Sequence, residues 1–231
     1  MRKIEKDTFL LERRKSYVYL QNDPEYILIQ PVDENDAAML EEQAEIISSK
    51  TTKVFLLAAF DIQNWNKELS PWDAPKVFGN EDFGHGASET LAFIENSLIP
   101  GIIDKYGLKK NIPIILGGYS LAAFFSLWCS YQTDIFSAIA AASPSVWFPG
   151  WIEYANTHKP RSEYIYLSLG DKEEKTKNKI MATVGDCIRA YHNHLTDADG
   201  IKSILEWNEG NHFKDSHIRC AKGFLWCLNN I

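Results

Sequence analysis

The sequence predicts an α/β protein whose eight-stranded, mostly parallel sheet is flanked by helices on both faces. Short apolar runs rich in branched residues alternate with helical patterns along most of the 231 residues, which is typical of βα units. The run at 53–60 is almost continuously apolar, as expected for a parallel strand buried on both faces. No repeat or linker interrupts this alternation, so we expect residues 1–231 to form a single domain.

The N-terminal elements are predicted to form a hairpin, a third strand and a helix. Strands are expected at Thr8–Arg13, Ser16–Leu20 and Glu25–Gln30. Roughly two residues separate the first two strands, which favours an antiparallel connection. A helix over Asp36–Ser49 should follow, because its acidic start suits the positive end of a helix dipole.

A long connection, Asp61–Gly86, follows the buried strand at 53–60. It contains two Pro, three Gly and four large aromatic residues, and a structureless connection of this length is usually functional or a lid. A helix over Ser88–Tyr106 is expected next. Pro100 should kink or split this helix, because proline lacks the N–H that an α-helix interior requires.

The remaining pattern completes the count of eight strands. It predicts strands at Ile112–Gly117, Ser137–Ala142, Glu163–Leu169 and Ile201–Trp207, and helices at Leu121–Tyr131, Lys179–Leu195 and Ser216–Asn229.

Composition argues against several partners and compartments. The formal net charge is −7, and no Lys/Arg-rich patch suggests a nucleic acid partner. The start Met1–Asp7 lacks the apolar core of a secretory signal, and no long apolar run predicts a membrane span. The four cysteines lie far apart or in apolar helical patterns, as free thiols in a reducing compartment do. We therefore expect a cytoplasmic location.

No metal or cofactor is expected. The sequence contains no His-Glu-x-x-His pattern, no cluster of Cys and His, and no Gly-rich phosphate loop ending in Lys-Ser/Thr. The state of association stays open, and a homo-oligomer is compatible with everything in the sequence.

The segment Gly117–Ala123 carries the strongest functional signal. It follows an apolar strand and opens a helical pattern, which is the context of a nucleophile elbow around Ser120. Gly118 and Ala122, two residues before and after the serine, would let the strand and helix approach. The alternative is a serine that merely caps a helix after a strand.

Two later loops supply partners for such a serine in the order that this arrangement requires. His212 follows the last predicted strand and could act as the base. Asp171, Glu173 and Glu174 follow the strand before it, and any of them could orient the imidazole. Each could instead be a solvated surface residue. His217 is the nearest rival base, and His85 could line the site.

The chain resembles the esterase D-like family of α/β hydrolases. The resemblance implies that fold, with Ser120 as nucleophile and His212 as base. The family's acid falls third after the glycine that ends its strand, which corresponds to Glu173, with Asp171 and Glu174 as reserves. The usual Gly-Gly after Ser-Leu is replaced here by Ala122-Ala123. The stretches that carry the resemblance are 117–123, 142–147, 167–174 and 210–213.

Backbone amides and aromatic residues complete the expected site. The N–H of Leu121, at the helix N-terminus, would bind the oxyanion. A second donor should follow the third strand, where Pro31 has no N–H. Val32 or Asp33 must then donate, and we favour Val32. Candidate substrate-binding residues are Trp65, Trp72, Trp147 and Tyr119; core packing is an equal alternative for the aromatic residues of the long connection.

These patterns predict a serine hydrolase that cleaves small carboxylic esters through a Ser-His-Glu/Asp triad and an acyl-enzyme. The same residues are compatible with an acyltransferase or a peptidase. A non-catalytic binding protein that retains the fold is the third alternative.

Overall fold

An eight-stranded sheet runs through the part of the chain that the computed structural model describes, residues 2–231. Its order is β1-β2-β4-β3-β5-β6-β7-β8; β2 is antiparallel to both of its neighbours and all other pairs are parallel. The predicted mostly parallel sheet is thereby confirmed. The strands are β1 (Glu5–Leu11), β2 (Arg14–Leu20), β3 (Tyr26–Val32), β4 (Phe55–Asp61), β5 (Ile114–Tyr119), β6 (Phe136–Ala142), β7 (Tyr164–Gly170) and β8 (Lys202–Asn208).

Helices cover both faces of the sheet, because alternate residues of the buried strands point to opposite sides. On one face, Leu28 and Ile115 pack with the helices near residues 40–50 and 216–230. On the other, Ile27, Ile29 and Leu116 pack with the remaining large helices. The α-helices are α1 (Glu34–Ala38), α2 (Leu40–Lys50), α3 (Trp65–Glu68), α4 (Ala87–Phe93), α5 (Ile99–Tyr106), α6 (Ser120–Gln132), α7 (Trp151–Thr157), α8 (Val184–Asp197) and α9 (Ser216–Asn230).

Several boundaries differ from the sequence-based expectation. The helix expected over Asp36–Ser49 is divided at Met39 into α1 and α2. Between α4 and α5, a π-helical turn at Ile94–Leu98 precedes Pro100. There the Ile99 N–H reaches back five residues to the Ile94 carbonyl, so the chain enters α5 with its proline in the first turn, where no donor is needed.

The long connection 61–86 is not structureless. It contains the short helix α3 and a β-bridge between Ala74 and Phe83. The helix α7 was not predicted, because its seven residues are too few to establish a period. The helix expected from Lys179 begins at Val184, after a 3₁₀ turn at Met181–Thr183.

The parallel strands β5 to β8 bring four connections to one edge of the sheet, since parallel strands all end on the same side. Ser120 follows β5, Ser143 follows β6, Glu173 follows β7 and His212 follows β8. This edge is where open α/β sheets bind their ligands. Among residues 2–231, no helix combines the length and the apolar character needed to cross a membrane.

Candidate active site

Ser120 lies on a strained turn between β5 and α6. Its φ is +57°, a left-handed conformation that non-glycine residues rarely adopt and that persists only where the surroundings enforce it. The turn requires close contact between strand and helix: a Cβ on Gly118 would lie 2.8 Å from the Ala122 Cβ. The small residues at both positions therefore allow the turn that presents the serine hydroxyl.

Three side chains form a continuous hydrogen-bonded chain at this edge of the sheet. The Nε2 atom of His212 lies 2.9 Å from Ser120 Oγ. Its Nδ1 atom lies 2.6 Å from Glu173 Oε2. The order serine, imidazole, carboxylate is the arrangement in which a base can take the hydroxyl proton while the acid orients the ring.

The Glu173 carboxylate is almost fully buried, and each of its oxygens has its own partners. Oε2 faces His212, while Oε1 accepts hydrogen bonds from the Gly170 N–H (2.7 Å), the Ser143 hydroxyl (2.7 Å) and Arg219 Nη1 (2.8 Å). Desolvation raises the pKa of Glu173. The hydrogen bond and charge of His212, together with hydrogen bonds from Ser143 and Gly170, lower it by more, so the pKa of Glu173 lies below its ordinary value.

Arg219 on α9 links Glu173 to the backbone segments around Ser120 and His212, although it is only 2% exposed. Besides Glu173, its Nη1 donates to Tyr119 Oη and Ser143 Oγ, both at 3.1 Å. Its Nη2 donates to the carbonyls of Glu209 and Asn211 in the loop that carries His212. Sequence reasoning missed this residue. The available signal was its place on the buried face of the last helix, four and eight residues before Gly223 and Cys227.

The structure brings Glu173, and neither of its two reserves, to the histidine. Asp171 accepts the Gly210 N–H at 2.7 Å and so fastens the β8 loop. Glu174 pairs with Arg189 on the surface at 3.2 Å. The rival histidines also lie elsewhere, since His85 pairs with Asp73 and His217 lies 3.5 Å from Glu42.

The direction of the backbone after β3 decides which amide can face Ser120. The Val32 carbonyl accepts the Ile62 N–H beyond β4. In an extended strand the N–H and C=O of one residue point to the same side, so the Val32 N–H also points towards β4. The next amide, that of Asp33, points to the opposite side, where β5 and Ser120 lie. The Leu121 amide lies in the first turn of α6, where N–H groups have no intrahelical partner.

A cavity of about 360 Å³ lies beside the triad. Trp147 lines it, as expected of a substrate-binding residue. Its lining residues are Ser143, Pro144, Trp147, Lys172, Glu173, Lys175, Thr176, Lys177, Met181, Val184, Asn211, His212 and Phe213.

The other three expected substrate-binding residues do not line this cavity. The Trp72 indole donates to the Pro149 carbonyl at 2.8 Å, away from the triad. Trp65 packs half-buried on the hydrophobic core. The Tyr119 hydroxyl donates to the His212 carbonyl at 2.6 Å, so Tyr119 braces the histidine loop. The long connection reaches the cavity wall through Phe78, whose ring centroid lies 6.1 Å from that of Trp147.

A second carboxyl group, that of Asp36 on α1, lies close enough to His212 for their charges to interact. Burial, and then the Asp33 carboxylate, raise the pKa of Asp36 to about 7, while His212 acts in the opposite direction. Asp36 therefore keeps its proton to a higher pH in the folded protein than an exposed aspartate does.

We predict that Arg219→Met destabilises the protein by about 3–5 kcal/mol, because it leaves the Glu173 carboxylate buried without its cation. Urea unfolding measures the change. The surface variant Arg189→Met is the control and should cost no more than about 1 kcal/mol. A double variant Arg219→Met/Glu173→Gln should be less destabilised than the sum of its singles. Strict additivity would contradict the pairing.

We predict that Asp36→Asn stabilises the protein at pH 8 but not at pH 4. The folded-state pKa of Asp36 is raised, so the folded state binds more protons than the unfolded state between about pH 3.8 and 7, and stability falls as pH rises through that window. Thermal unfolding at pH 8 should show a Tm increase of about 2–4 °C. Glu34→Gln, on the exposed side of α1, is the control. An equal gain at both pH values would contradict the prediction.

Comparison with known proteins identifies the fold. No protein-family model and no curated protein matches the chain. An IroE-like serine hydrolase from Shewanella oneidensis aligns with a TM-score of 0.79 and 17% identity, covering 97% of this chain and 79% of its own. The siderophore hydrolase EstB from Aspergillus nidulans gives 0.75 and 15%, covering 97% and 93%. The enterobactin and salmochelin hydrolase IroE gives 0.65 and 13%, covering 96% and 95%. The chain has the α/β-hydrolase fold.

Proposed function

We propose that this protein is a serine hydrolase that cleaves carboxylic esters of small molecules through an acyl-enzyme. The observation that carries the proposal is the hydrogen-bonded chain from Ser120 through His212 to Glu173, at the sheet edge where the fold binds ligands. Its similarity to structures described as serine and siderophore hydrolases supports the same reaction class. A helix cap would explain neither the left-handed serine nor its ordered partners.

Acylation begins when His212 Nε2 takes the proton of the Ser120 hydroxyl. The oxygen then attacks the ester carbonyl carbon and forms a tetrahedral intermediate. The Glu173 carboxylate, ionised because its pKa is lowered, stabilises the imidazolium formed on His212. The imidazolium gives its proton to the departing alkoxide, which leaves an acylated serine.

Deacylation repeats these steps with water as the nucleophile. His212 takes a proton from the water, whose oxygen attacks the acyl carbon, and then returns a proton to Ser120 Oγ as the acid departs. The 360 Å³ cavity beside the triad leaves room for the acid or alcohol part of a small ester.

Two backbone amides would hold the oxyanion of each intermediate. The first is the Leu121 N–H at the start of α6. For the second we now assign Asp33 in place of Val32, because the Val32 amide is directed to β4. Together they would stabilise the charge that develops on the substrate carbonyl oxygen.

We predict that a fluorophosphonate probe modifies Ser120 and no other serine. Mass spectrometry of the labelled protein locates the adduct. His212→Ala should abolish labelling, because the hydroxyl then has no base. Ser145→Ala is the matched control, since Ser145 Oγ lies only 3.5 Å from Ser120 Oγ and should be dispensable for labelling. Hydrolysis of 4-nitrophenyl acetate that survives Ser120→Ala would refute the proposal.

We predict that Glu173→Gln lowers kcat by about 10²–10⁴-fold, because the amide can neither balance the imidazolium charge nor hold the required tautomer. Asp171→Asn and Glu174→Gln are matched controls from the same loop and should change kcat by about twofold or less. Circular dichroism must first establish that each variant is folded. A larger loss in either control than in Glu173→Gln would reassign the acid.

A further inference from the structure

Three lysines are among the residues that line the cavity beside His212 and Glu173, although the protein as a whole is acidic. Lys172, Lys175 and Lys177 lie on the segment that follows β7 and contribute to the cavity wall. The formal net charge of the chain is −7. Within residues 2–231, none of these three lysines forms an ion pair. In this part of the chain, no carboxylate therefore pairs directly with any of the three ammonium groups.

Nearby carboxylates do not neutralise this group of lysines. Glu173 is the one carboxylate among the lining residues, and its charge is shared between Arg219 and His212. Glu174 is paired with Arg189 outside the cavity. Asp171 faces the Gly210 amide and offsets at most one of the three positive charges. The mouth of the cavity therefore remains positively charged.

The backbone of the lysine-bearing segment is fastened at two points, so the lysine side chains extend from fixed positions at the mouth. Glu173–Lys175 forms a 3₁₀ turn whose first residue is locked into the triad network. At the other end, Asn178 donates to the Val77 carbonyl of the long connection at 2.6 Å. The same side chain accepts the amides of Ile180 and Met181.

Part of the remaining wall of the cavity is apolar and aromatic. It is formed by Pro144, Trp147, Met181, Val184 and Phe213. Phe213 directly follows His212 in the sequence and is 90% exposed, so it offers an uncovered ring at the mouth. A ligand that fits this cavity needs an apolar part against these side chains and a negative group near the lysines.

We propose that the site selects esters that carry an anionic group, separated from the scissile carbonyl by a short apolar part. This inference rests on the proposed ester hydrolysis at Ser120. The apolar part would lie against Trp147 and Phe213, while the lysine ammonium groups receive the anion. The charge of the mouth would also accelerate the encounter with an anionic substrate.

The test compares two esters that differ in one charge, 4-nitrophenyl hydrogen adipate and its methyl ester. Release of 4-nitrophenolate gives kcat/KM for each. The native protein should prefer the anionic ester by about tenfold at low ionic strength, since three exposed charges act together on the same anionic group. The preference should shrink at high salt, where the Debye length is only about 3 Å.

Lysine variants show whether the preference for the anionic ester comes from charge at the mouth of the cavity or from charge elsewhere on the protein. The triple variant Lys172→Met/Lys175→Met/Lys177→Met should bring the ratio of the two kcat/KM values close to one, because it lowers kcat/KM for the anionic ester. The triple Lys→Arg variant should retain the preference. Lys179→Met is the matched control, because Lys179 is exposed on the same segment without lining the cavity, and it should leave the ratio unchanged.

Failure of this inference is distinguishable from failure of the proposed function. If Ser120 hydrolyses the neutral ester and the native protein shows no preference for the anionic one, the substrate inference is overturned while the hydrolase stands. A preference that survives the triple Met variant, or that Lys179→Met reduces equally, overturns it as well. If Ser120→Ala hydrolyses both esters undiminished, the proposed function itself is wrong.

Discussion

The buried pair of Arg219 and Glu173 is the interaction on which the geometry of the site depends. Two charges removed from water are costly unless each finds good partners, and here the guanidinium makes five hydrogen bonds. Those bonds reach the residue before Ser120, the turn after β6, the acid after β7 and the loop after β8. One arginine thus holds together four strand ends, which the sheet alone would leave as separate connections.

In this arrangement the two oxygens of the Glu173 carboxylate have different partners: one is bound by the surrounding structure and the other faces the histidine. Oε1 is held by Arg219, Ser143 and the Gly170 amide, whereas Oε2 is left to His212. The guanidinium holds the carboxylate in place, but it also competes with His212 for the negative charge that would stabilise an imidazolium. The geometry of the site is therefore fixed, while the carboxylate stabilises a His212 imidazolium less than an unpaired carboxylate would.

The order of strands predicted that Ser120, His212 and three candidate acids would meet, and the family resemblance singled out Glu173 among those acids. Ser120, Glu173 and His212 each follow a buried parallel strand, and parallel strands end at one edge, so no side-chain detail was needed to bring them together. Arg219 could not be placed in this way. Its three side-chain partners lie 46 to 100 residues away along the chain, and a charged residue in a helix shows no partner until the packing of that helix is known.

The oxyanion assignment shows a different limit. The third strand was expected to end at Gln30, but it continues to Val32, and a shift of one residue along a strand reverses the direction in which an amide points. The contacts of Trp72 and Tyr119 were also beyond reach of the sequence. Their side chains are apolar rings with a polar tip, and either a substrate or a backbone carbonyl could satisfy that tip.

The segment after β7 combines the acid and the lysines, and its anchoring makes the two roles separable. Glu173 is fixed by the buried network, Asn178 by the long connection and the Lys172 amide by the Gly210 carbonyl, so the backbone of this segment is held independently of the lysine side chains. These side chains project from a rigid frame at the mouth, where substitution changes charge without moving the triad. Under the proposed function, substrate preference could thus change at Lys172, Lys175 and Lys177 while the hydrogen-bonded chain from Ser120 to Glu173 stays the same.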